Sequence, residues 1–275
     1  MEITPAMVKA LREKTGLPMM ECKKALEETG GDLEAAEQLL RKKGLAQVTK
    51  RAEKVTAEGR VVFYQDPASG RAALLEMLCE TEPVSGTEDF QRLAREAVQA
   101  AAKTGVIQPE QLLEQPTSTN PGQKITDLLH DAVNRIRENI KVGRVATAQG
   151  HFGTYLHHDN KKGVLVEFSG PVSPEVAADV CMHIVAMRPP FVRREDVDAS
   201  LVNERKEAAR GEVKGKPEHM VEKIVAGKLD KWYQDIVLLE QPFVKDDKKS
   251  VGQHLRESGP GLTVTRFVRL EIGEA

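Results

Sequence analysis

Apolar residues recur along this chain with two different periods, and each change of period marks a change of element. Val8 and Leu11 lie one helical turn apart, behind Thr4 as a hydroxyl cap and Pro5 in the first turn. Thr15-Gly16-Leu17-Pro18 breaks that helix. A second helix is expected from Met20 to Thr29, with Cys22, Ala25 and Leu26 on one face and Gly30-Gly31 as its stop. Asp32 caps a third, whose stripe is Leu33, Ala36, Leu39 and Leu40. Arg41, Lys42 and Lys43 then precede Gly44, the charge that suits a helix C-terminus. Residues 4–44 therefore read as a three-helix module, and about forty residues bury too little core to be more than marginal alone.

From Val61 the period shortens to two. Val61 to Tyr64, the turn Asp66-Pro67-Ala68-Ser69-Gly70, and a run placing Ala73, Leu75, Met77 and Cys79 on one side predict a β-hairpin. Helical spacing returns with Phe90, Leu93, Ala94, Ala97, Val98 and Ala101. A polar loop spans Gln115 to Gly122. Ile125, Leu128, Leu129, Ala132, Val133, Ile136 and Ile140 then predict one long amphipathic helix.

The second half repeats the scheme. Gly153 to His157 and Gly163 to Phe168 flank a polar turn, and Val176, Ala177, Val180, Cys181, Ile184 and Val185 follow at helical spacing. Leu74-Leu75-Glu76 resembles Leu165-Val166-Glu167, and Thr81-Glu82-Pro83-Val84 falls where Ser169-Gly170-Pro171-Val172 falls. An internal duplication into two α+β lobes is expected. Residues 193–231 interrupt the second lobe with a thin apolar seam: Val197, Leu201 and Ala208, then Met220, Val221, Ile224 and Val225, with Gly215-Lys216-Pro217 between. That pattern predicts an inserted antiparallel coiled-coil hairpin, either a solvated arm or a docking or homodimer arm. Gln241-Pro242-Phe243-Val244, a short helix near Val251 to Leu255 and a strand from Leu262 to Ile272 close the lobe. The expected division is 1–53, 54–141, 142–192 with 232–275, and the insertion 193–231.

Composition narrows the function. Forty Lys and Arg against 42 Asp and Glu give a net charge of −2, which argues against a generally basic nucleic-acid binder. Locally, residues 41–54 hold six basic residues and one acid. This stretch reads either as a helix end running into a solvated linker or as a place that touches nucleic acid. Cys22, Cys79 and Cys181 are too scattered for a disulfide framework or a zinc site, and read as core thiols in a reducing cytosol. No apolar run is long enough for a membrane span, and the start lacks the pattern of a secretory signal. Phosphate-loop, dinucleotide, zinc-protease and nucleophile-elbow motifs are all missing. No cofactor, metal or covalent chemistry is therefore expected.

The run Val8-Lys9-Ala10-Leu11-Arg12-Glu13-Lys14-Thr15-Gly16, followed by Met19-Met20-Glu21-Cys22-Lys23-Lys24-Ala25-Leu26, closely resembles the start of the bacterial translation elongation factor Ts family. Gly31-Asp32, Leu165-Val166-Glu167, Met182-His183-Ile184-Val185-Ala186 and Gly215-Lys216-Pro217 fit the same family. So do Gln241-Pro242-Phe243-Val244, Val251-Gly252-Gln253 and Arg266-Phe267-Val268-Arg269-Leu270-Glu271, so the resemblance runs through essentially the whole chain in order.

The resemblance implies a cytoplasmic guanine nucleotide exchange factor acting in protein biosynthesis. Its partner would be elongation factor Tu, in GDP-bound and nucleotide-free forms, whose Mg²⁺ and phosphate grip it loosens so that GTP can enter. Three groups of residues carry over. The family's Thr-Asp-Phe-Val loop falls on Thr81, Glu82, Pro83 and Val84, where acid and aromatic disturb the partner near its Mg²⁺ site. Arg12, Met19 and Met20 lie on the module that grips the partner's nucleotide domain. His157 matches a family contact in the second lobe. Two positions depart from the pattern: Glu82 replaces Asp with one more methylene, and Pro83 replaces Phe and so offers no ring to bury.

Taken without the resemblance, the same residues have plainer readings. Met19-Met20 would be a core plug, His157 a surface hairpin residue and Glu82 a solvated acid. The three-helix module also resembles ubiquitin-associated domains, which bind peptides or proteins, so a non-catalytic adaptor is the second reading. A ribosome-associated nucleic-acid binder acting through residues 41–54 is the third, and the pI near 6.4 and 4% aromatic content count against it.

Overall fold

The computed structural model describes residues 2–213 and 217–274. They form two compact units, Met1–Thr147 with Leu270–Ala275, and Ala148–Arg269.

The first unit opens with α1 (Pro5–Thr15), α2 (Met19–Glu28) and α3 (Leu33–Arg51). Thr4 Oγ1 accepts the Met7 N–H at the head of α1, and the Asp32 carboxylate accepts from Glu34 N and Ala35 N at the head of α3. Val8, Leu11, Cys22, Ala25, Leu26, Ala36 and Leu40 are the buried core of these helices. Helix α3 is longer than its sequence suggests. It runs through Gly44 to Arg51, so residues 41–51 are helix and not linker. The reason lies across the contact. A Cβ on Gly44 would fall 2.2 Å from Asn134 Nδ2, so this glycine makes room for the Asn134 side chain instead of ending its helix.

Strands β1 (Glu58–Gln65) and β2 (Ala72–Cys79) form the first hairpin, antiparallel with Val61 opposite Glu76 and Val62 opposite Leu75. Then come α4 (Glu82–Ser85), α5 (Glu88–Thr104), α6 (Pro109–Leu113), α7 (Ile125–Ile136) and β3 (Ile140–Ala148), with β2 central in the sheet order β1-β2-β3. Ala73, Leu75, Met77 and Cys79 of β2 share one core with Phe90, Leu93 and Ala97 of α5 and Leu128 and Ala132 of α7. The helix expected to continue to Ile140 stops at Ile136, because Arg137 turns left-handed (φ 66°). Ile140 is buried in that same core as the first residue of a strand.

The second unit begins with β4 (Phe152–Leu156), β5 (Lys162–Phe168) and α8 (Pro174–Met187), followed by α9 (Ala199–Glu212) and α10 (Glu218–Ile236). It closes with β6 (Pro242–Phe243), β7 (Asp246–Ser250), α11 (Val251–Ser258) and β8 (Val264–Glu271). The sheet order is β4-β5-β8, so each unit holds a hairpin, a helix and a later strand that returns beside the hairpin's second member. Ala209 of α9 and Val213 just after it are buried with Val225 of α10, and Val221, Ile224 and Leu229 pack against them. Helix α10 continues to Ile236, past the expected end of the insertion at 231. Of Gly215-Lys216-Pro217, the first two lie outside the described residues, and Pro217 precedes α10. Among the described residues no helix is long and apolar enough to cross a membrane.

Candidate functional site

Strand β2 delivers the chain to Thr81, which stands at the head of α4. Its backbone is extended (φ −129°, ψ 148°), and its own hydroxyl makes no cap bond to the helix. The Thr81 N–H donates to Glu138 Oε2 at 3.0 Å and its hydroxyl to Glu138 Oε1 at 2.7 Å. Glu82 and Pro83 form the first turn, where the missing proline N–H leaves no bond unmade. The Ser85 hydroxyl donates to the Glu82 carbonyl at 2.8 Å and closes the turn. The expected loop is therefore a single helical turn. Thr81, Glu82 and Pro83 are exposed, whereas Val84 is only 8% exposed and belongs to the first unit's core. The turn thus presents 82 and 83 outward and turns Val84 inward.

Arg12 is exposed on α1. Met19 and Met20 open α2, directly after Pro18, and are 48% and 63% exposed. Their neighbours Cys22, Ala25 and Leu26 fill the core, so the two methionines stand outside it and the core-plug reading fails. Exposed thioethers are soft, adaptable apolar groups suited to an irregular partner surface.

Polar contacts fix this module to the rest of the first unit. Arg135 Nε donates to the Thr15 carbonyl at 3.1 Å, and Arg41 pairs with Asp127 at 3.0 Å. Glu21, next to Met20, pairs with Arg137. The next residue is Glu138, which holds Thr81. The residue after it, Asn139, donates its backbone N–H to Glu80 Oε1 at 2.6 Å. Asn139 Nδ2 donates to the carbonyls of Ala52 (3.3 Å) and Lys54 (2.8 Å). Sequence reading did not single out Arg137, Glu138 or Asn139. The one local signal is a non-glycine residue in the left-handed region, and that is visible only in the fold.

His157 lies in the second unit, after β4. It is half-buried, its Nδ1 is 3.0 Å from the Tyr155 hydroxyl, and its ring centroid is 4.2 Å from that of His158. The structure thus brings Arg12, Met19, Met20 and the 81–84 turn into one unit, and His157 belongs to the other.

Among the described residues no group of three or more His, Cys, Asp or Glu could hold a metal ion. All three cysteines are buried free thiols. Burial pushes the Cys79 thiol up to about 11 and the Cys181 thiol up to about 12. His183 is fully buried, and the Val244 N–H donates to its Nδ1 at 3.2 Å. The proton must then sit on Nε2, which donates to Gln241 Oε1 at 2.9 Å. Burial holds this imidazole below its ordinary pKa, so it is a neutral structural group.

Comparison with known proteins supplies what the geometry leaves open. The family described as elongation factor TS matches residues 80–274. A curated elongation factor Ts from Aquifex aeolicus is 38% identical over 288 residues, covering 99% of each chain. Relatives of the same name from Thioalkalivibrio sulfidiphilus and Methylococcus capsulatus are 41% and 40% identical, covering 100% of this chain and 93% of theirs. These alignments reach across the N-terminal helices that the family match leaves out. With most of the chain matched by the family and nearly all of it by relatives of the same name, the protein belongs to the elongation factor Ts family.

Proposed function

We propose that this chain is a guanine nucleotide exchange factor for elongation factor Tu in the elongation phase of cytoplasmic protein synthesis. It would bind the GDP form, disturb its Mg²⁺ and phosphate site, and leave a nucleotide-free complex that GTP resolves. Family membership over nearly the whole chain carries this reading.

The thermodynamics constrain how it works. Weakening GDP binding by a given factor requires that GDP weaken this protein's binding by the same factor. Each factor of ten needs about 1.4 kcal/mol of preference for the distorted, emptied partner. Mg²⁺ held by few protein ligands and the phosphates is a suitable target, since small ligand shifts remove charge compensation from the phosphates. No bond is made or broken.

In this reading Arg12, Met19 and Met20 grip the nucleotide domain, Glu82 and Pro83 press toward the Mg²⁺ site, and His157 adds a contact from the second lobe. Val84 supports the turn from within. Glu82 keeps the acid of the family pattern, and Pro83 offers a rigid backbone in place of a ring. The working division is a ubiquitin-associated-like module at the N-terminus, a first lobe that runs on through β3, a duplicated second lobe, and within it a coiled-coil hairpin of α9 and α10 serving as a docking or dimer arm.

Release of fluorescent GDP from elongation factor Tu is the test. Acceleration by substoichiometric amounts of this protein is the expected result, and binding without acceleration would make it an adaptor instead. Pro83→Phe and Pro83→Ala then weigh the turn: if both leave the release rate unchanged, residues 81–84 are not a lever.

A further inference from the structure

We infer that Arg137 and Glu138 are positioning residues for exchange: one dipeptide that fixes the spacing between the exposed methionines of α2 and the exposed turn of α4. The inference rests on the exchange reading above and adds a part that the reading does not contain.

Two adjacent side chains leave the end of α7 for two different elements. Arg137 pairs with Glu21, in the first turn of α2 and next in sequence to Met20. Glu138 uses both carboxylate oxygens on Thr81, one for the backbone N–H and one for the hydroxyl. These partners are 116 and 57 residues away in sequence. The backbone that joins them is held in turn. Arg137 N–H donates to the Val133 carbonyl at 2.8 Å, and its left-handed φ of 66° turns the chain out of the helix. Asn139 is anchored to Glu80, Ala52 and Lys54. A left-handed backbone at an arginine is unfavourable by itself and persists where its surroundings over-determine it. Here they do, on both flanks.

The buried apolar cores of α1–α3 and of the first lobe form two clusters, bridged by Val48 of α3, which packs against the second of them, and neither uses Arg137 or Glu138. Val48, Arg135 and Arg41 hold the module as a whole to the lobe; what the dipeptide adds is a direct tie from the α2 head to the α4 head. A factor that acts at two points of one partner gains most when those points are already at the right separation, because less conformational freedom is then lost on binding. The Glu21–Arg137 pair is partly exposed, so it contributes modestly, at the scale of exposed ion pairs.

The experiment is a double-mutant cycle on the full chain with elongation factor Tu and fluorescent GDP. Glu21→Gln and Arg137→Ala are compared singly and together, for the release rate at saturation and for the half-saturating concentration. Each single change is expected to slow saturated release about threefold, with half-saturation shifted less than about twofold, and the double variant should be no slower than either single. Thr81→Val with Glu138→Gln forms a second cycle with the same expectation, so a folding defect at Arg137 does not remove the test. Multiplying effects would mean independent partner contacts and would overturn the brace. So would unchanged release in every single variant, or a loss confined to the half-saturating concentration. The wild-type arm separates the two claims: if it fails to accelerate release, the exchange reading itself fails, whatever the variants do.

Discussion

The two lobes share one topological plan, yet they bury its charged positions differently. In each, a glutamate on the central strand meets an arginine on the third strand. In the first lobe Glu76 takes Arg144 N and Nε on Oε2, both at 3.0 Å, and Arg144 Nη2 on Oε1 at 2.6 Å. Arg144 Nη2 also reaches the carbonyls of Glu271 (3.3 Å) and Glu274 (3.4 Å). The Glu76 side chain is 5% exposed, and its hydrogen bond raises the Arg144 pKa further above its ordinary value. In the second lobe Arg266 donates Nε (3.0 Å) and Nη2 to a single oxygen of Glu167, which is 29% exposed. The residue pair is the same and the solvation is not, so the energetic weight should differ.

Helix packing differs in step with this. Val62 opposes Leu75 in the first hairpin, and Gly153 opposes Val166 at the matching place in the second. A Cβ on Gly153 would fall 2.8 Å from Ala177 Cβ, with the Ala177 backbone at 3.3 Å. Helix α8 therefore rests on bare backbone of β4, while the first sheet presents a valine side chain at the corresponding position.

The largest expected effect is at Glu76. Glu76→Ala removes a buried carboxylate that accepts the Arg144 backbone N–H as well as its half-exposed guanidinium, and should destabilise the first unit by about 2 to 3 kcal/mol. Urea unfolding with hydrogen exchange of each sheet would measure it, and a loss below that of Glu167→Ala would break the comparison. Gly153→Ala comes next, at about 2 kcal/mol, because the Ala177 Cβ it meets has no rotamer to move to and can yield only with its helix. The same measurement should show the loss in the second unit. Glu167→Ala should cost about 1 kcal/mol or less, being more exposed.

The smallest effect is a pH dependence of the second unit that comes from a histidine. His183 is held below its ordinary pKa of 6.5, so the unfolded chain takes up the proton first. Stability from this source is complete above about pH 6.5 and declines as pH falls from there toward the lowered folded value. Helix α5 of the first unit carries no imidazole. Melting followed from pH 7 to pH 5 should show this slope in the second unit, and His183→Gln should flatten it.

Much of the architecture was written in local pattern. Caps and apolar stripes marked α1, α2 and the start of α3, alternation marked the first hairpin, and a polar turn between two runs marked the second. The errors came where one local signal serves two purposes. Gly44 looked like a stop and is the place where the Asn134 side chain rests, and Ile140 continued a helical stripe while opening β3. At the candidate site, residue types were legible and exposure was not. Nothing local decides whether Met19-Met20 or Val84 faces outward, since the answer depends on which neighbours fill the core. Arg137 and Glu138 were invisible for a further reason: their partners lie far away in sequence and no periodicity connects them.

The buried sulfurs carry a practical consequence. A thiol whose proton is retained well above neutral pH is a poor nucleophile, and Cys79 and Cys181 are in that condition behind packed side chains, with Cys22 equally enclosed. Maleimide dyes should ignore all three in the folded protein. A single cysteine introduced on the surface would then report alone, without a cysteine-free background having to be built first.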